Sequence, residues 1–150
     1  MQGLAEATNN KRFAYDAYRR LLDMFGDVVL GIPHDAFERR LEKLKLKKKV
    51  RDDTDFTADD LVELCDSYQE VYSDFGKVFP EDPFDQLKAC VKAVFSSWNA
   101  ERAIKYREIN GITNLLGTAC NIQTMVFGNR GESSGTGVAF SRDPGNGKLL

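Results

Sequence analysis

Residues 123–144 read Gln-Thr-Met-Val-Phe-Gly-Asn-Arg-Gly-Glu-Ser-Ser-Gly-Thr-Gly-Val-Ala-Phe-Ser-Arg-Asp-Pro. Two alternating apolar runs, 122–127 and 138–140, flank a connection of small and polar residues. This pattern predicts a β-hairpin with a long connection. Residues 131–137, which we call the Gly/Ser/Thr loop, hold three glycines and three hydroxyl groups. Amides and hydroxyls are the donors that a phosphate group requires, so the loop is either a phosphate site or an ordinary mobile turn.

The remainder of the C-terminal part also alternates. We predict strands over 117–127 and 137–142, a turn at 143–147, and the start of a third strand at Lys148–Leu150. A two-stranded hairpin is marginal by itself. The sequence therefore predicts a sheet that is incomplete within these 150 residues, as in a segment of a larger protein.

Before residue 112 the apolar residues recur at helical spacing. We predict about five helices, over 11–29, 35–49, 57–75, 82–98 and 100–110. Asn9 or Asn10, the Thr57–Asp60 capping box and Asp82-Pro83 mark helix starts. Gly31-Ile32-Pro33 and Gly111 mark helix ends.

Each of the first four helices carries an apolar stripe that we expect to form core rather than a ligand cage. The stripes are Phe13, Ala17, Leu21, Met24 and Val28; Phe37, Leu41 and Leu44; Leu61, Leu64, Tyr68, Val71, Tyr72 and Phe75; and Phe84, Leu87, Val91, Val94, Phe95 and Trp98. The second helix ends in five lysines between Lys43 and Lys49. This basic run suits either a solvated helix C-terminus or an acidic or phosphate docking patch.

The composition is that of a globular intracellular protein, with 42% hydrophobic and 29% charged residues. A net charge of −2 gives no electrostatic reason to expect nucleic acid or an anionic membrane as a partner. Cys65, Cys90 and Cys120 lack a Cys-x-x-Cys spacing, which indicates free thiols in a reducing compartment and disfavours a metal site. The sequence shows no signal-peptide core and no run of about 20 apolar residues.

Four motifs together resemble one family. They are 13–20 (Phe-Ala-Tyr-Asp-Ala-Tyr-Arg-Arg), 53–61 (Asp-Thr-Asp-Phe-Thr-Ala-Asp-Asp-Leu), 93–98 (Ala-Val-Phe-Ser-Ser-Trp) and the stretch at 123–144. In this order they resemble the nucleotide-binding domain of the pyruvate, phosphate dikinases, and the resemblance covers nearly the whole chain. It implies an α+β fold: a helical subdomain at 1–111, set within an ATP-grasp domain, followed by the first strands of a β lobe at 112–150.

The resemblance also implies site residues. Gln123, Met125 and Val126 match the strand that runs along the nucleotide pocket. Ser134, Gly135, Thr136 and Gly137 match the loop that covers the β- and γ-phosphates, where amides and the Thr136 hydroxyl donate hydrogen bonds. Alternatively, Thr136 serves only the geometry of the turn.

Family members interconvert ATP, phosphate and pyruvate with AMP, diphosphate and phosphoenolpyruvate, using Mg²⁺ and a phosphohistidine on a separate domain. The resemblance implies that this phosphotransferase chemistry is incomplete here. The Mg²⁺ ligands are expected outside this chain, since Glu132 and Asp143 are isolated carboxylates. The only histidine, His34, lacks the family's Gly/Thr/Ser-His motif and is expected to start a helix.

Two hypotheses follow. In the first, the chain forms one wall of an ATP site, with the phosphohistidine domain and the pyruvate-binding barrel as partners. In the second, it is a free-standing helical interaction module without catalytic activity. We expect a cytoplasmic location by default, with a plastid or another organelle as the alternative.

Overall fold

The computed structural model describes residues 2–131 and 133–149. Over these residues the chain forms six α-helices, with one π-helical and one 3₁₀ segment. The α-helices are α1 (Gln2–Thr8), α2 (Lys11–Met24), α3 (His34–Lys48), α4 (Ala58–Asp74), α5 (Pro83–Ser97) and α6 (Glu101–Ile109). The π-helix, Phe25–Val29, continues α2, and the 3₁₀ turn, Asp53–Asp55, precedes α4. The five predicted helices are confirmed, and α1 is an additional short helix whose sequence carries no apolar stripe.

The predicted helix starts are confirmed by their hydrogen bonds. The Asn10 side-chain oxygen accepts from the Phe13 amide at 2.9 Å and caps α2. At α4 the Thr57 hydroxyl accepts from the Asp60 amide at 3.2 Å, and the Asp60 carboxylate accepts from the Thr57 amide at 3.0 Å. The Asp82 carboxylate caps α5, accepting from the Phe84 amide at 2.8 Å. Each cap gives a partner to an amide that the first helical turn leaves unpaired.

The core lies where α2, α3, α4 and the π-helix meet. The ring of Phe37 on α3 packs edge-to-face on Tyr68 and Tyr72 of α4, with centroids 5.1 and 5.8 Å apart. The Tyr72 hydroxyl donates to the Leu22 carbonyl at 2.5 Å, which satisfies its one buried polar atom. The predicted stripes of α3 and α4 are buried as expected, apart from Phe75, which is 44% exposed.

The predicted inner face of α2 is confirmed only in part, because Phe13 is buried and Leu21 packs against the core, but the buried face is rotated from the predicted one. Met24 and Val28 are exposed, whereas Ala14, Leu22 and Phe25 are buried. The buried face also includes Asp16 and Arg19, which the pattern of apolar residues assigns to solvent. These two charges can be buried because they pair with each other.

The predicted inner face of α5 is also wrong, since no residue of this helix is buried among the described residues. Phe84 and Phe95 are 71% and 51% exposed. The helix approaches the π-helix through small residues instead, and Ala89 and Cys90 pack against the core. Small side chains allow the two helices to come close, which turns the aromatic residues outward.

The basic end of α3 is held by acidic residues. Lys48 contacts the carboxylates of Asp60 at 2.6 Å and Glu63 at 3.3 Å, and Lys47 pairs with Glu63. Lys45 pairs with Asp53 at 3.1 Å. Three lysines of the run are thus paired within the protein, an arrangement that neither the solvated helix end nor the docking patch predicts.

The strands predicted over 117–127 and 137–142 are not formed. In the described residues of 112–149 the pairing of extended backbone is limited to one antiparallel bridge, between Arg142 and Leu149. A hairpin requires a third strand or a packed face to be stable, and these residues supply neither. The turn at 143–147 is present, with the Gly147 amide donating to the Asp143 carbonyl at 2.8 Å. Glu132 and Leu150, the last residue of the predicted third strand, lie outside the described residues.

None of the helices in the described ranges combines the length and the apolar character that crossing a bilayer requires.

Candidate functional site

A cavity of about 610 Å³ lies between α2 and the C-terminal part of the chain. On one side it is lined by Ala17, Arg20 and Leu21 of α2. On the other side it is lined by residues 125–129 and by Thr136. The cavity therefore joins the helical body to the stretch that the sequence singles out for nucleotide binding.

The structure brings only part of the predicted site together. Met125, Val126 and Thr136 line the cavity, and the side chains of Met125 and Val126 are largely exposed. The rest of the predicted set lies outside the lining: Gln123, Ser134, Gly135 and Gly137. The polar part of the cavity lining also includes Arg20 and Asn129, which we did not predict.

The segment Phe127–Arg130, which we call the anchor segment, attaches to α2 at three points. The Phe127 ring packs edge-to-face on Phe13, with centroids 5.1 Å apart. The Asn129 side-chain amide donates to Asp16 Oδ2 at 3.1 Å. The Asn10 side-chain amide donates to the Arg130 carbonyl at 3.3 Å. The segment lies on the N-terminal half of α2 even though the strands around it are not formed.

Asp16 is the centre of a buried network of charges and is 4% exposed. Its Oδ1 accepts from Arg19 Nε at 3.1 Å, and its Oδ2 accepts from Arg20 Nε at 3.2 Å and from Asn129. Arg19 also donates to Asp53 at 2.7 Å. Both oxygens of the Asp16 carboxylate are thus occupied, as burial of a charge requires.

Asp53 extends this network to α3. Burial raises the pKa of Asp53, but the hydrogen bond from Lys45 and the charge of Arg19 outweigh burial and hold this pKa below its ordinary value. The carboxylate is therefore ionised at neutral pH. The motif Tyr-Asp-Ala-Tyr-Arg-Arg contains the signal for this network, since Asp16, Arg19 and Arg20 have the i, i+3 and i, i+4 spacing of helical ion pairs.

The Gly/Ser/Thr loop folds back onto the anchor segment at Gly128. A Cβ atom on Gly128 would lie 2.7 Å from the Gly135 carbonyl carbon, and it would also overlap the Thr136 methyl group. Only glycine permits this approach of two backbones. Within the loop, the Ser134 amide donates to the Gly131 carbonyl at 2.9 Å and closes a turn.

The other reactive side chains lie elsewhere. Burial raises the pKa of the Cys65 thiol to about 12, so this thiol stays protonated at neutral pH. His34 is the first residue of α3, and its Nδ1 lies 3.1 Å from Asp23 Oδ1. This position confirms His34 as a helix-start residue. In the described ranges no three His, Cys, Asp or Glu side chains lie close enough to hold a metal ion together.

Comparison with known proteins defines the class. Residues 82–149 match the family model described as the AMP/ATP-binding domain of pyruvate phosphate dikinase. Relatives match over nearly the whole chain. The Arabidopsis thaliana protein named pyruvate, phosphate dikinase 1, chloroplastic, is 57% identical over 97% of this chain. The Mesembryanthemum crystallinum chloroplastic dikinase is 58% identical over the same share, and the Clostridium symbiosum dikinase is 52% identical over 99%.

The C-terminal half is therefore part of an AMP/ATP-binding domain. The chain belongs to the pyruvate, phosphate dikinase family, as the four sequence motifs indicate. It spans 15% of the length of the two plant relatives and 17% of the Clostridium protein.

Proposed function

We propose that this chain forms one wall of the ATP site of a pyruvate, phosphate dikinase. The observation that carries the proposal is the convergence of Met125, Val126 and Thr136 with Arg20 on one cavity. The first three residues come from the region that matches the AMP/ATP-binding family model, and Arg20 comes from the helical body.

The chemistry of the cavity suits a nucleotide. Met125 and Val126 offer an apolar wall on which a planar base can lie, with backbone polar groups beside it. The Arg20 side chain is 54% exposed and is held through Nε by Asp16, and its terminal nitrogens donate to no other described residue. An oriented guanidinium that lines the same cavity as Thr136 suits a phosphate group.

The proposed reaction is that of the family: ATP, phosphate and pyruvate give AMP, diphosphate and phosphoenolpyruvate through a phosphohistidine. In this proposal the carrier histidine and the pyruvate-binding barrel belong to other domains, which are the chain's partners. His34 has no role in the transfer. We propose no nucleic acid and no membrane as partners, because neither the charge nor the cavity favours them.

ATP acts in this family as its Mg²⁺ complex, but the described residues do not provide a site for the ion. The lining of the cavity contains no carboxylate, and Mg²⁺ is held by one or two carboxylates together with substrate phosphates. The proposal therefore places the Mg²⁺ ligands outside this chain and assigns no step to the ion here.

We further propose that residues 112–150 become the first strands of an ATP-grasp lobe when neighbouring strands pair with them, with residues 1–111 as the helical subdomain. The alternating sequence and the outward-facing apolar residues between 122 and 140 support this proposal. The names of the plant relatives support a plastid location, and the name of the Clostridium symbiosum relative carries no compartment.

The exposed aromatic residues of α5 favour a second candidate, a helical interaction module without catalysis. The two candidates differ in what happens to ATP. The activity of a helical interaction module does not depend on the Thr136 hydroxyl, whereas binding of ATP at this wall does.

The test replaces the matching segment of the Mesembryanthemum crystallinum dikinase with this chain. In the chimera, Thr136→Val should lower the rate of ATP turnover about ten- to hundredfold, since a hydrogen bond to a charged group is lost. Binding of pyruvate should not change. Thr113→Val, which changes an exposed threonine of the same segment away from the cavity, is the matched control.

An unchanged rate in Thr136→Val would remove Thr136 from the site. The 150-residue chain by itself should bind Mg·ATP very weakly or not at all, because it supplies only one wall. A micromolar dissociation constant in calorimetry of this chain would contradict that part of the proposal.

A further inference from the structure

The position of the Gly/Ser/Thr loop depends on contacts outside the loop. Apart from the Ser134–Gly131 turn, the backbone hydrogen bonds among the described residues after Ile112 lie at 143–148. The loop nevertheless has a defined neighbour, because it folds back onto Gly128 through Gly135 and Thr136. Whatever holds Gly128 in place therefore also holds the loop.

Gly128 is held from both sides within the anchor segment. Phe127 packs on Phe13, and Asn129 donates to Asp16. The Phe127–Phe13 contact is apolar. It defines the angle between the two rings, which is 87°, but it is not directional in the way that a hydrogen bond is. The hydrogen bond to Asp16 is directional, and its acceptor is a buried carboxylate that cannot move easily.

Contacts from outside α2 also help to hold Asp16 in place. Arg19 and Arg20 lie on the same helix, but Arg19 also reaches Asp53, which Lys45 of α3 holds in turn. The acceptor for Asn129 is thus connected to α2, to the 3₁₀ turn and to α3. Asn129 attaches the C-terminal part of the chain to a buried carboxylate that two arginines of the helical body already pair.

We infer that Asp16 and Asn129 are positioning residues for the Gly/Ser/Thr loop. Their hydrogen bond places Gly128, and through it Gly135 and Thr136, at a fixed distance from the Arg20 side of the cavity. The inference rests on the proposed function in one respect, that the ligand placed by the loop is the phosphate part of a nucleotide. The hydrogen bond and its effect on the loop are independent of that identity.

The test uses nuclear magnetic resonance on the 150-residue chain without nucleotide. In the unchanged protein we expect a nuclear Overhauser effect between the Gly128 α-protons and the Thr136 methyl group. We also expect backbone order parameters of about 0.85 for residues 127–129. Asn129→Asp places a second carboxylate against Asp16 and removes the donor, so the order parameters should fall below about 0.6 and the Gly128–Thr136 effect should disappear.

The double variant Asp16→Asn/Asn129→Asp exchanges donor and acceptor. It should restore the Gly128–Thr136 effect and the order of the segment, which a general loss of stability would not do. Asn146→Ala is the matched control, since it removes an exposed asparagine that bonds to Asp143 within the distant turn. The amide signals of α4 report in every variant whether the helical body is folded.

Two results would overturn the inference: an Asn129→Asp variant that keeps the Gly128–Thr136 effect, or a loop that the exchanged pair fails to restore while α4 remains folded. Neither depends on ATP. If the anchor behaves as expected but Thr136→Val leaves the chimera fully active, the proposed function fails and the positioning role stands.

Discussion

The contacts of single side chains explain why α4 begins at Ala58. Asp60 accepts from the Thr57 amide at 3.0 Å and from the Thr57 hydroxyl at 2.6 Å, and Lys48 of α3 contacts its other oxygen at 2.6 Å. One carboxylate thus caps a helix and ties that helix to its neighbour. The side chain is largely buried, with 11% exposed, so little solvent weakens these contacts.

Stability in acid should depend on Asp60. The hydrogen bond from Lys48, followed by that from Thr57, lowers the pKa of Asp60 from 3.8 to about 2. Because the folded state binds this proton less readily than the unfolded state, the stabilisation is complete above about pH 4 and is lost as the pH falls to about 2. Urea unfolding across this range should show a flatter pH dependence for Asp60→Asn than for the unchanged protein.

Asp59→Asn is the matched control for this measurement, because the neighbouring carboxylate is 88% exposed and pairs only with Lys11 at the surface. Its pH dependence should follow that of the unchanged protein. An Asp60→Asn variant with an unaltered slope between pH 4 and pH 2 would show that the contacts of Asp60 do not stabilise the fold.

Among the helices and turns, the π-helix decides how α2, α3 and α4 fit together. The Leu30 amide donates to the Phe25 carbonyl at 3.2 Å, the i to i+5 pattern of a π-helix. Gly26, the second residue of the π-helix, is buried against α3 and α4. A Cβ atom there would lie 2.8 Å from Phe37 Cε2 and 3.2 Å from the Tyr72 hydroxyl oxygen. The absence of a side chain at this position lets three elements meet.

Gly26→Ala should therefore destabilise the protein by about 1–3 kcal/mol, because the core is already filled at this point. Gly3→Ala is the control, since a Cβ atom at Gly3 in α1 meets nothing within 4 Å. That change should stabilise the protein slightly, by up to about 1 kcal/mol, as alanine favours a helix over glycine. Urea midpoints measure both, and a Gly26→Ala variant at least as stable as the unchanged protein would contradict the close packing.

The sequence predicts these elements better than it predicts their orientation. Local signals such as Asn10, the Thr57–Asp60 box and Asp82-Pro83 act within one helical turn, so the helix starts could be predicted. The buried faces of α2 and α5 could not, because they depend on distant partners. Asp16 is buried with Arg19 and Asn129 as its partners, and α5 packs on the core through Ala89 rather than through its aromatic residues.

The residues of the candidate site divide in the same way, into those that a local motif indicates and those that depend on distant contacts. Met125, Val126 and Thr136 are predicted from the resemblance of their local motif to the family, and they line one cavity. Asn129 and Arg20 both donate to Asp16, and Asn129 lies 113 positions from Asp16 in the sequence. No local pattern indicates such a contact. The predicted strands are not formed in the described residues, and in our proposal they depend in the same way on distant partners, the neighbouring strands.

At the scale of the whole molecule, the described residues combine a well-packed region with an open apolar face. The packed region comprises α2, α3, α4 and the π-helix. The open face lies on α5, where Phe84, Phe95 and neighbouring apolar residues are exposed together. A contiguous apolar face of this kind favours association, whereas single exposed apolar residues do not.

The isolated chain should therefore self-associate. Sedimentation velocity should show a mass that rises above that of the monomer with concentration. The double variant Phe84→Ser/Phe95→Ser should remove this rise. Leu46→Ser, which changes a residue of α3 that is 79% exposed, should leave it in place. A chain that stays monomeric at all accessible concentrations would show that the α5 face does not drive association.

The side chain of Asn10 couples the start of α2 to the anchor segment. Its oxygen begins α2 at the Phe13 amide, and its nitrogen holds the Arg130 carbonyl. One amide group thus belongs to both the first turn of the helix and the anchor segment. By thermodynamic linkage, a ligand that binds more tightly when Arg130 is held also protects the Phe13 amide from fraying, and by the same free energy. A cavity ligand with this preference would therefore slow the exchange of the Phe13 amide at the beginning of the helix.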